Sequence, residues 1–409
     1  MCIRDRKFAE RGCRISWWGD GEPGASRVAA GMYNPVSFRR VVEVWNASAH
    51  VANMRSTLQA MEEAFGLQGA LMHDVPVVKV FANDAYRQTW DERWATDHGV
   101  TQWADRGQSA EVLEITSLNA PHGVGKVHAA GWVDVPALLD AIEAHVAAHH
   151  TLVDRAWRVD DGLPGGADVV VDCRGVGAVK ELSEVGLKVN PNHGDVLTLS
   201  TEAGALQTQG HNVNNGKWLL PMRQQDGRQW WRLGATYSWD KATSAPHAPG
   251  ARALREHMAG AFHGGARQAW DEAHVEAHQA GLRPASPDRR PMVGPWPGQL
   301  EGVLMLNGLG TRGVLVGPAA AEALVNFWMD DAPIPPEMRP DRFKSVQTRF
   351  PDGRVPNPCR LAASARGRGV LWEHVSRIDC PGLETENCVG RPKFPHLPHH
   401  GGLGGNLRI

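Results

Sequence analysis

A glycine-rich loop late in the chain is the clearest chemical feature of the sequence. Residues 308–313 read Gly-Leu-Gly-Thr-Arg-Gly, between a predicted strand (302–307) and a predicted helix (314–328). Such a loop lets a helix N-terminus and its free N–H groups approach an electron-rich ligand. It is not a dinucleotide fingerprint, because no second parallel strand with an acidic end follows it. Taken alone, the loop fits ligand binding and simple packing equally well.

Two further clusters carry residues suited to binding. Arg283 opens a segment (283–294) that three prolines stiffen, and its guanidinium has the geometry to clamp a carboxylate with two hydrogen bonds. A surface ion pair is the alternative for this arginine. Residues 25–35 are rich in Ala, Ser and Gly, so a helix start there can lie close to a flat ligand or to another backbone.

The sequence supports neither a metal site nor a catalytic nucleophile. His274 and His278 have zinc-protease spacing on a predicted helix (251–280), but the required Glu is replaced by Val275. We interpret them, like His145 and His149, as residues of solvated helix faces. The six cysteines include no C-x-x-C pair, and no catalytic triad is recognisable. We therefore expect no metal site and no disulfide, and we assign no catalytic residue with certainty.

Composition limits the class of protein. The 45 acidic and 43 basic residues give a net charge of -2, so charge gives no reason to expect a nucleic-acid partner. No apolar run is long enough for a membrane span, and the first residues lack the apolar centre of a secretory signal. We expect a cytoplasmic protein of unknown oligomeric state. Residues 344–409 are rich in Pro, Gly and basic side chains, which predicts a poorly ordered tail.

The elements that would position these clusters alternate between helix and strand at both ends of the chain. Apolar spacing predicts a helix from residue 41 to a stop at Gly66, and another that begins at Asp134 with Pro136 in its first turn. An apolar run (167–173) predicts a buried strand. The middle predicts an antiparallel sheet, with short strands and two hairpin-turn dipeptides: 187–189, 196–199, 218–220, 230–233, Asn215-Gly216 and Asp226-Gly227.

Together, these clusters resemble the D-amino-acid-oxidase-like (DAO) family of FAD-dependent oxidoreductases. The family's small-residue segment A-S-x-x-A-A-G, with N-P soon after, matches residues 25–35. G-W-V-D matches 131–134 and G-A-T-Y matches 234–237. R-P-x-x-x-D-R-x-P-x-x-G matches 283–294, and the late glycine loop continues to Pro318. The resemblance covers roughly residues 8 to 343.

The resemblance implies an α/β (α+β) fold with two domains and FAD as cofactor. A Rossmann-like FAD-binding domain, discontinuous in sequence, would comprise residues 1–66, 129–178 and 281–343. An antiparallel-sheet substrate domain would comprise 67–128 and 179–280. The implied reaction is oxidation of a small amine or amino acid, with hydride transfer from the α carbon to flavin N5.

The resemblance also implies roles for single residues. Arg283 would bind the substrate carboxylate, and Tyr237 would form a wall of the substrate pocket or, with equal weight, belong to the core. Asp20 would bind the adenosine ribose. The other cofactor contacts are small or loop residues: Ser26, Ala30 and Gly31 at the phosphates and ribityl chain, Gly175 and Gly177 beside the adenine, and Gly308, Gly310, Thr311, Arg312 and Gly313 at the flavin ring.

One departure from the family pattern concerns the start of the chain. The family opens with a strand and a G-x-G-x-x-G loop that holds the FAD pyrophosphate, whereas residues 8–12 here resemble the end of the helix that follows that loop. Residues 13–18 resemble the second strand. We therefore expect an N-terminally truncated chain with an exposed strand edge and weak or absent FAD binding. The alternative function is a non-catalytic remnant that retains a surface for a small molecule or a protein.

Overall fold

The computed structural model describes residues 2–343, except 20, 22–23, 97, 241–242 and 299, together with a strand at 377–379. The described part is a mixed α/β structure, as predicted. Apart from that strand, the predicted tail (344–409) lies outside the described residues.

The helices begin and end at local sequence signals. Asp134 precedes α5, and its carboxylate accepts a hydrogen bond from the Ala137 amide at 3.1 Å, as a helix N-cap does. Gly66 ends α3 in the left-handed conformation, with φ of 68°. The described helices are α1 Cys2–Glu10, α2 Ala25–Val28, α3 Ala47–Phe65, α4 Asp84–Ala95, α5 Val135–His149, α6 Val179–Glu184, α7 Ala248–Ala259, α8 Gly264–Asp271 and α9 Gly313–Asp330.

The strands form one large sheet and several small ones. Their bounds are β1 Arg14–Gly19, β2 Met32–Tyr33, β3 Val36–Ser37, β4 Val42–Glu43, β5 Met72–Asp74, β6 Val77–Val80, β7 Val124–Val127, β8 Gly131–Val133, β9 Thr151–Asp154, β10 Val170–Asp172, β11 Asn190–Glu202, β12 Asn212–Asn214, β13 Trp218–Gln225, β14 Arg228–Gly234, β15 His274–Ala285, β16 Met292–Pro295, β17 Val303–Asn307 and β18 Arg377–Asp379.

The large sheet has seven strands in the order β15-β11-β14-β13-β12-β6-β7. The β13–β14 hairpin turns at Asp226-Gly227, where both residues have positive φ (53° and 74°), as that dipeptide predicted. One face of the sheet packs on α7 and α8 through a core that includes Leu197, Trp231 and Phe262. The predicted antiparallel middle of the chain is therefore confirmed.

Two three-stranded sheets lie beside the long helices. One has the order β18-β1-β9, with β1 and β9 parallel, and the other has the order β10-β17-β16, with β10 and β17 parallel. The sequence predicts an exposed strand edge; in the structure β18 pairs antiparallel with β1, and residue 15 lies opposite residue 378 in the register. The expectation of an unpaired edge is wrong for residues 14–16.

Three predictions of local structure are wrong. The helix predicted over 251–280 is two short helices, α7 and α8, followed by β15, because pairing with β11 outweighs the helical preference of an Ala- and Glu-rich segment. The strand predicted at 187–189 instead begins at Asn190. The helix predicted from residue 41 begins at Ala47, because residues 42–43 form β4 with β3.

Candidate functional site

The glycine loop joins β17 to α9, as predicted, and leaves the start of this helix without a side-chain cap. Arg312 is the N-cap residue of α9, and its side chain makes no capping hydrogen bond. The first N–H groups of a helix have no partner within the helix, so they can bind an electron-rich group. The pKa of Arg312 is lowered by burial and by the neighbouring charges of Arg289 and Arg40. The unpaired N–H groups of α9 and the side chains of Arg312, Arg289 and Arg40 together make the N-terminal end of α9 electropositive.

Two loop amides are already used to hold the loop in place. The Gly310 amide donates to the Pro284 carbonyl at 2.8 Å, and the Gly308 amide donates to the Asn307 side chain at 2.7 Å. Leu309 also forms a bridge with Ala285. Pro284 follows Arg283, the predicted carboxylate clamp, on β15. The strand that carries this clamp is therefore hydrogen-bonded to the glycine loop. The structure thus brings together the clamp segment and the glycine loop, and α2, at the start of the small-residue segment, also packs on β15.

Arg283 lies against the large sheet rather than in bulk water. Its Nη1 donates to the Asn192 side chain at 2.9 Å and to the Thr236 carbonyl at 3.2 Å. Its Cζ lies 4.8 Å from the centre of the Tyr237 ring, a cation–π distance. Burial lowers the pKa of this guanidinium, although Tyr237 and Asp195 oppose that effect. No carboxylate within the described residues forms a salt bridge with Arg283, so its charge is available to a ligand.

Tyr237 is a surface residue of the site. Its side chain is 52% exposed, which excludes the core alternative and keeps the prediction of a pocket wall. Trp239, two positions further on, is 60% exposed. Lys217 is also near: its Nζ lies 5.8 Å from the Tyr237 ring centre and donates to the Ala235 carbonyl at 3.0 Å.

A buried carboxylate positions the segment on which Arg283 rests. Asp195 accepts hydrogen bonds from the Thr236 hydroxyl (2.8 Å), the His247 amide (2.8 Å) and the His278 ring (2.9 Å). Burial alone would raise the pKa of Asp195, but these donors outweigh burial and lower it. His278 therefore lies on a strand beside a carboxylate, and our interpretation of a solvated helix face is wrong. The reason is the pairing of β15 with β11.

The roles of the other predicted cofactor contacts stay predictions. Asp20 lies outside the described residues. Gly31 has φ of +69°, and a Cβ there would stand 1.9 Å from the Val133 carbonyl oxygen, so the need for glycine at 31 comes from packing on β8. Beside it, Ala30 is buried, whereas Ser26 on the four-residue α2 is exposed.

The other predicted glycines follow β10. The Gly175 carbonyl accepts from the Asn307 side chain at 3.0 Å, and a Cβ at Gly175 would lie 3.4 Å from Pro284. Gly177 belongs to the same short turn. These glycines therefore lie next to the glycine loop and the clamp strand, while Thr311 and Gly313 lie at the start of α9.

The described residues fit one end of FAD better than the other. The electropositive, uncapped start of α9 suits the electron-rich edge of a flavin ring. At the start of α1, by contrast, Arg4 and Asp5 are buried and bonded to each other, and Arg4 also donates to the Val171 carbonyl at 3.0 Å. Because Asp5 compensates the charge of Arg4, this pair offers no net positive charge to a pyrophosphate. Among the described residues, the start of α9 therefore suits the flavin ring better than the start of α1 suits the phosphates.

Among the described residues, no group of three or more His, Cys, Asp or Glu side chains is arranged to hold a metal ion. None of the described helices combines the length and the apolar character that crossing a membrane requires.

Sequence reasoning missed the residues that surround Arg283: Asn192, Gly194, Asp195, Lys217 and Thr236. One signal was available, because a glycine inside a strand often marks the close approach of another group. A Cβ at Gly194 would lie 2.0 Å from an Arg283 nitrogen. Thr236 lies in the G-A-T-Y match, whereas Asn192, Asp195 and Lys217 carry no local pattern and meet Arg283 only through pairing of distant strands.

Similar structures have the same fold. Iminodiacetate oxidase from Chelativorans sp. BNC1 is 20% identical, with a TM-score of 0.66 over 85% of this chain and 96% of that one. Glycine oxidase from Bacillus cereus ATCC 14579 is 17% identical, with a TM-score of 0.66 over 81% and 93%. L-proline dehydrogenase from P. horikoshii is 12% identical, with a TM-score of 0.65 over 85% and 96%.

The family assignment comes from the sequence itself. The family model described as FAD dependent oxidoreductase (DAO) matches residues 7–327, which is most of the chain. The matched range includes the small-residue segment, the clamp segment and the glycine loop. The chain belongs to the DAO family of FAD-dependent oxidoreductases.

Proposed function

We propose that this protein oxidises a small amine or amino acid with FAD. The observation that carries the proposal is Arg283, a guanidinium without a carboxylate partner among the described residues, on a strand bonded to the glycine loop at α9. Oxidases of iminodiacetate and glycine and a dehydrogenase of L-proline share the fold, and each acts on an amino or imino acid.

The chain's residues would bind and orient rather than attack. FAD, when bound, supplies the acceptor (N5) for the hydride that leaves the α carbon of the substrate. Arg283 would pair with the substrate carboxylate through the N–H groups not used by Asn192 and Thr236. The exposed face of Tyr237 would close one side of the substrate site. The first amides of α9 would stabilise negative charge at the ring edge. No protein nucleophile is required, because water hydrolyses the imine product.

The test compares substrates with and without a carboxylate. We expect Arg283→Ala to weaken the apparent affinity for glycine by about 2–5 kcal/mol, while the affinity for ethylamine changes little. Arg283→Lys should recover part of the loss. Flavin bleaching after reconstitution with FAD measures turnover, and ligand-induced thermal shift measures binding. If Arg283→Ala lowers the affinity for glycine and for ethylamine equally, Arg283 does not bind the substrate carboxylate.

A second candidate is a non-catalytic protein that retains the substrate surface. The buried Arg4–Asp5 pair at the start of α1 favours it, because that pair does not suit a pyrophosphate. On this hypothesis the purified chain contains little flavin, and amino acids still raise its melting temperature without FAD. Stoichiometric bound FAD, measured by absorbance near 450 nm, would refute it.

A further inference from the structure

Two cations share one tyrosine at the edge of the candidate site. Arg283 and Lys217 lie 4.8 and 5.8 Å from the centre of the Tyr237 ring. They also hold consecutive carbonyls of the same segment, since Lys217 donates to Ala235 and Arg283 donates to Thr236. The two side chains come from different strands or their ends, so the fold rather than the local sequence brings them together.

The surroundings leave both charges without an anionic partner. Among the described residues, no carboxylate lies within salt-bridge distance of Lys217 or Arg283. Asp195, the acidic group whose charge acts on Arg283, is occupied by Thr236, His247 and His278. Burial lowers the pKa of Lys217, and the charge of Arg283 lowers it further. One substrate carboxylate compensates only one of these two charges.

This inference rests on the proposed function and specifies its substrate. We propose that Lys217 binds a second anionic group of the substrate, so that the site selects amino acids with two carboxylates over those with one. Arg283 would hold the carboxylate next to the reacting carbon, and Lys217 would hold the distal one. The exposed ring of Tyr237 lies near both cations and would pack against the carbon chain that joins the two carboxylates.

Sarcosine and iminodiacetate form a suitable pair of probes, because both are N-substituted glycines and they differ by one carboxylate. Dissociation constants are measured by anaerobic calorimetry on the full chain with its FAD in the reduced form, so that neither probe is oxidised. We expect wild type to bind iminodiacetate at least tenfold more tightly than sarcosine. In Lys217→Met this ratio should fall below threefold, whereas Lys217→Arg should keep most of it. Lys188→Met, which removes an exposed lysine, is the matched control for net charge and should keep the wild-type ratio.

The ratio of iminodiacetate affinity to sarcosine affinity distinguishes two roles of Lys217: binding of the second carboxylate, and support of the Ala235 carbonyl. If Lys217 only holds the Ala235 carbonyl, its loss weakens both ligands equally, the ratio is unchanged, and the inference is overturned. A wild type without preference for iminodiacetate overturns it as well. Both of these results leave the proposed function intact as long as Arg283→Ala still weakens both ligands. Failure of wild type to bind either probe would overturn the inference and count against the proposed function.

Discussion

Gly194 offers a way to displace the Arg283 guanidinium without changing the arginine itself. Gly194 lies on β11, and a Cβ built there would stand 2.0, 2.2 and 2.3 Å from Nη2, Nη1 and Cζ of Arg283. Its φ is not in the left-handed region, so alanine is acceptable to the backbone. Gly194→Ala therefore tests the position of the charge and little else.

The size of the effect follows from these distances. Ordinary contact between such atoms begins at 3.4 Å, so the guanidinium must move by more than 1 Å, roughly enough to break its bonds to Asn192 (2.9 Å) and Thr236 (3.2 Å). Because these atoms end a flexible side chain, we expect the free energy of unfolding to fall by less than about 2 kcal/mol. A misplaced clamp should weaken carboxylate binding by about 10- to 100-fold, or about 1.4–2.8 kcal/mol.

The assay is an anaerobic calorimetric titration of glycine with the FAD reduced, so that glycine binds without being oxidised, together with urea unfolding of the same samples. Gly265→Ala is the control: it is the same substitution on α8, where a new Cβ meets nothing within 4 Å. It should leave glycine affinity unchanged and keep or slightly raise stability. If Gly194→Ala binds glycine as tightly as wild type, the observed position of Arg283 does not matter for carboxylate binding, and our reasoning about the clamp fails.

Two further predictions concern buried charges. Lys79 is buried, and burial lowers its pKa to about 8 from 10.5; the unfolded chain therefore holds more protons between these values, and stability should rise by about 3 kcal/mol as pH rises from 8 to 10.5. Urea unfolding of Lys79→Met should lack this rise and show greater stability than wild type at pH 7; an identical pH dependence in both proteins would contradict the argument. For Asp195, whose pKa is lowered in the fold, the contribution to stability is present above its unfolded pKa near 3.8 and is lost as pH falls through the folded value. Asp195→Asn should cost about 2–3 kcal/mol at pH 7 and flatten the acid limb of the stability curve, and an unchanged acid limb would show that this carboxylate is not the group responsible.

Local signals in the sequence predicted those elements whose ends are set by neighbouring residues. Asp134 before α5, Gly66 after α3 and Asp226-Gly227 between β13 and β14 each act through backbone conformation or a nearby hydrogen bond. The α9 helix and the strand before it were also predicted within a few residues. Such features need no knowledge of distant parts of the chain.

The failures have a common physical cause, which is pairing between residues far apart in sequence. Residues 274–280 belong to the segment that we predict as a helix from its Ala and Glu content, yet they form part of β15 because β11 provides a partner along its length. His278 acquires its contact with Asp195 in the same way. The sequence predicts an exposed strand edge, but β18, from the far end of the chain, pairs with residues 14–16.

The candidate site was predicted in part for the same reason. Arg283 and the glycine loop belong to segments with recognisable spacing, so the resemblance located them. Lys217, Asn192 and Asp195 carry no such spacing. The relation of Asn192 and Asp195 to Arg283 depends on the register of β11 with β15, and that of Lys217 depends also on the pairing of β13 with β14 and of β14 with β11. A second cation beside the clamp could only be found from the structure.

The strand β15 has a consequence for how ligands enter and leave. It pairs with β11 along most of its length, carries Arg283 near its end, and is fastened to the glycine loop through the Pro284 carbonyl and Gly310 amide. Separating the clamp from the start of α9 would break this hydrogen bond and the bridge between Ala285 and Leu309. We therefore expect ligands to enter past the solvent-exposed residue Tyr237, which lies beside Arg283.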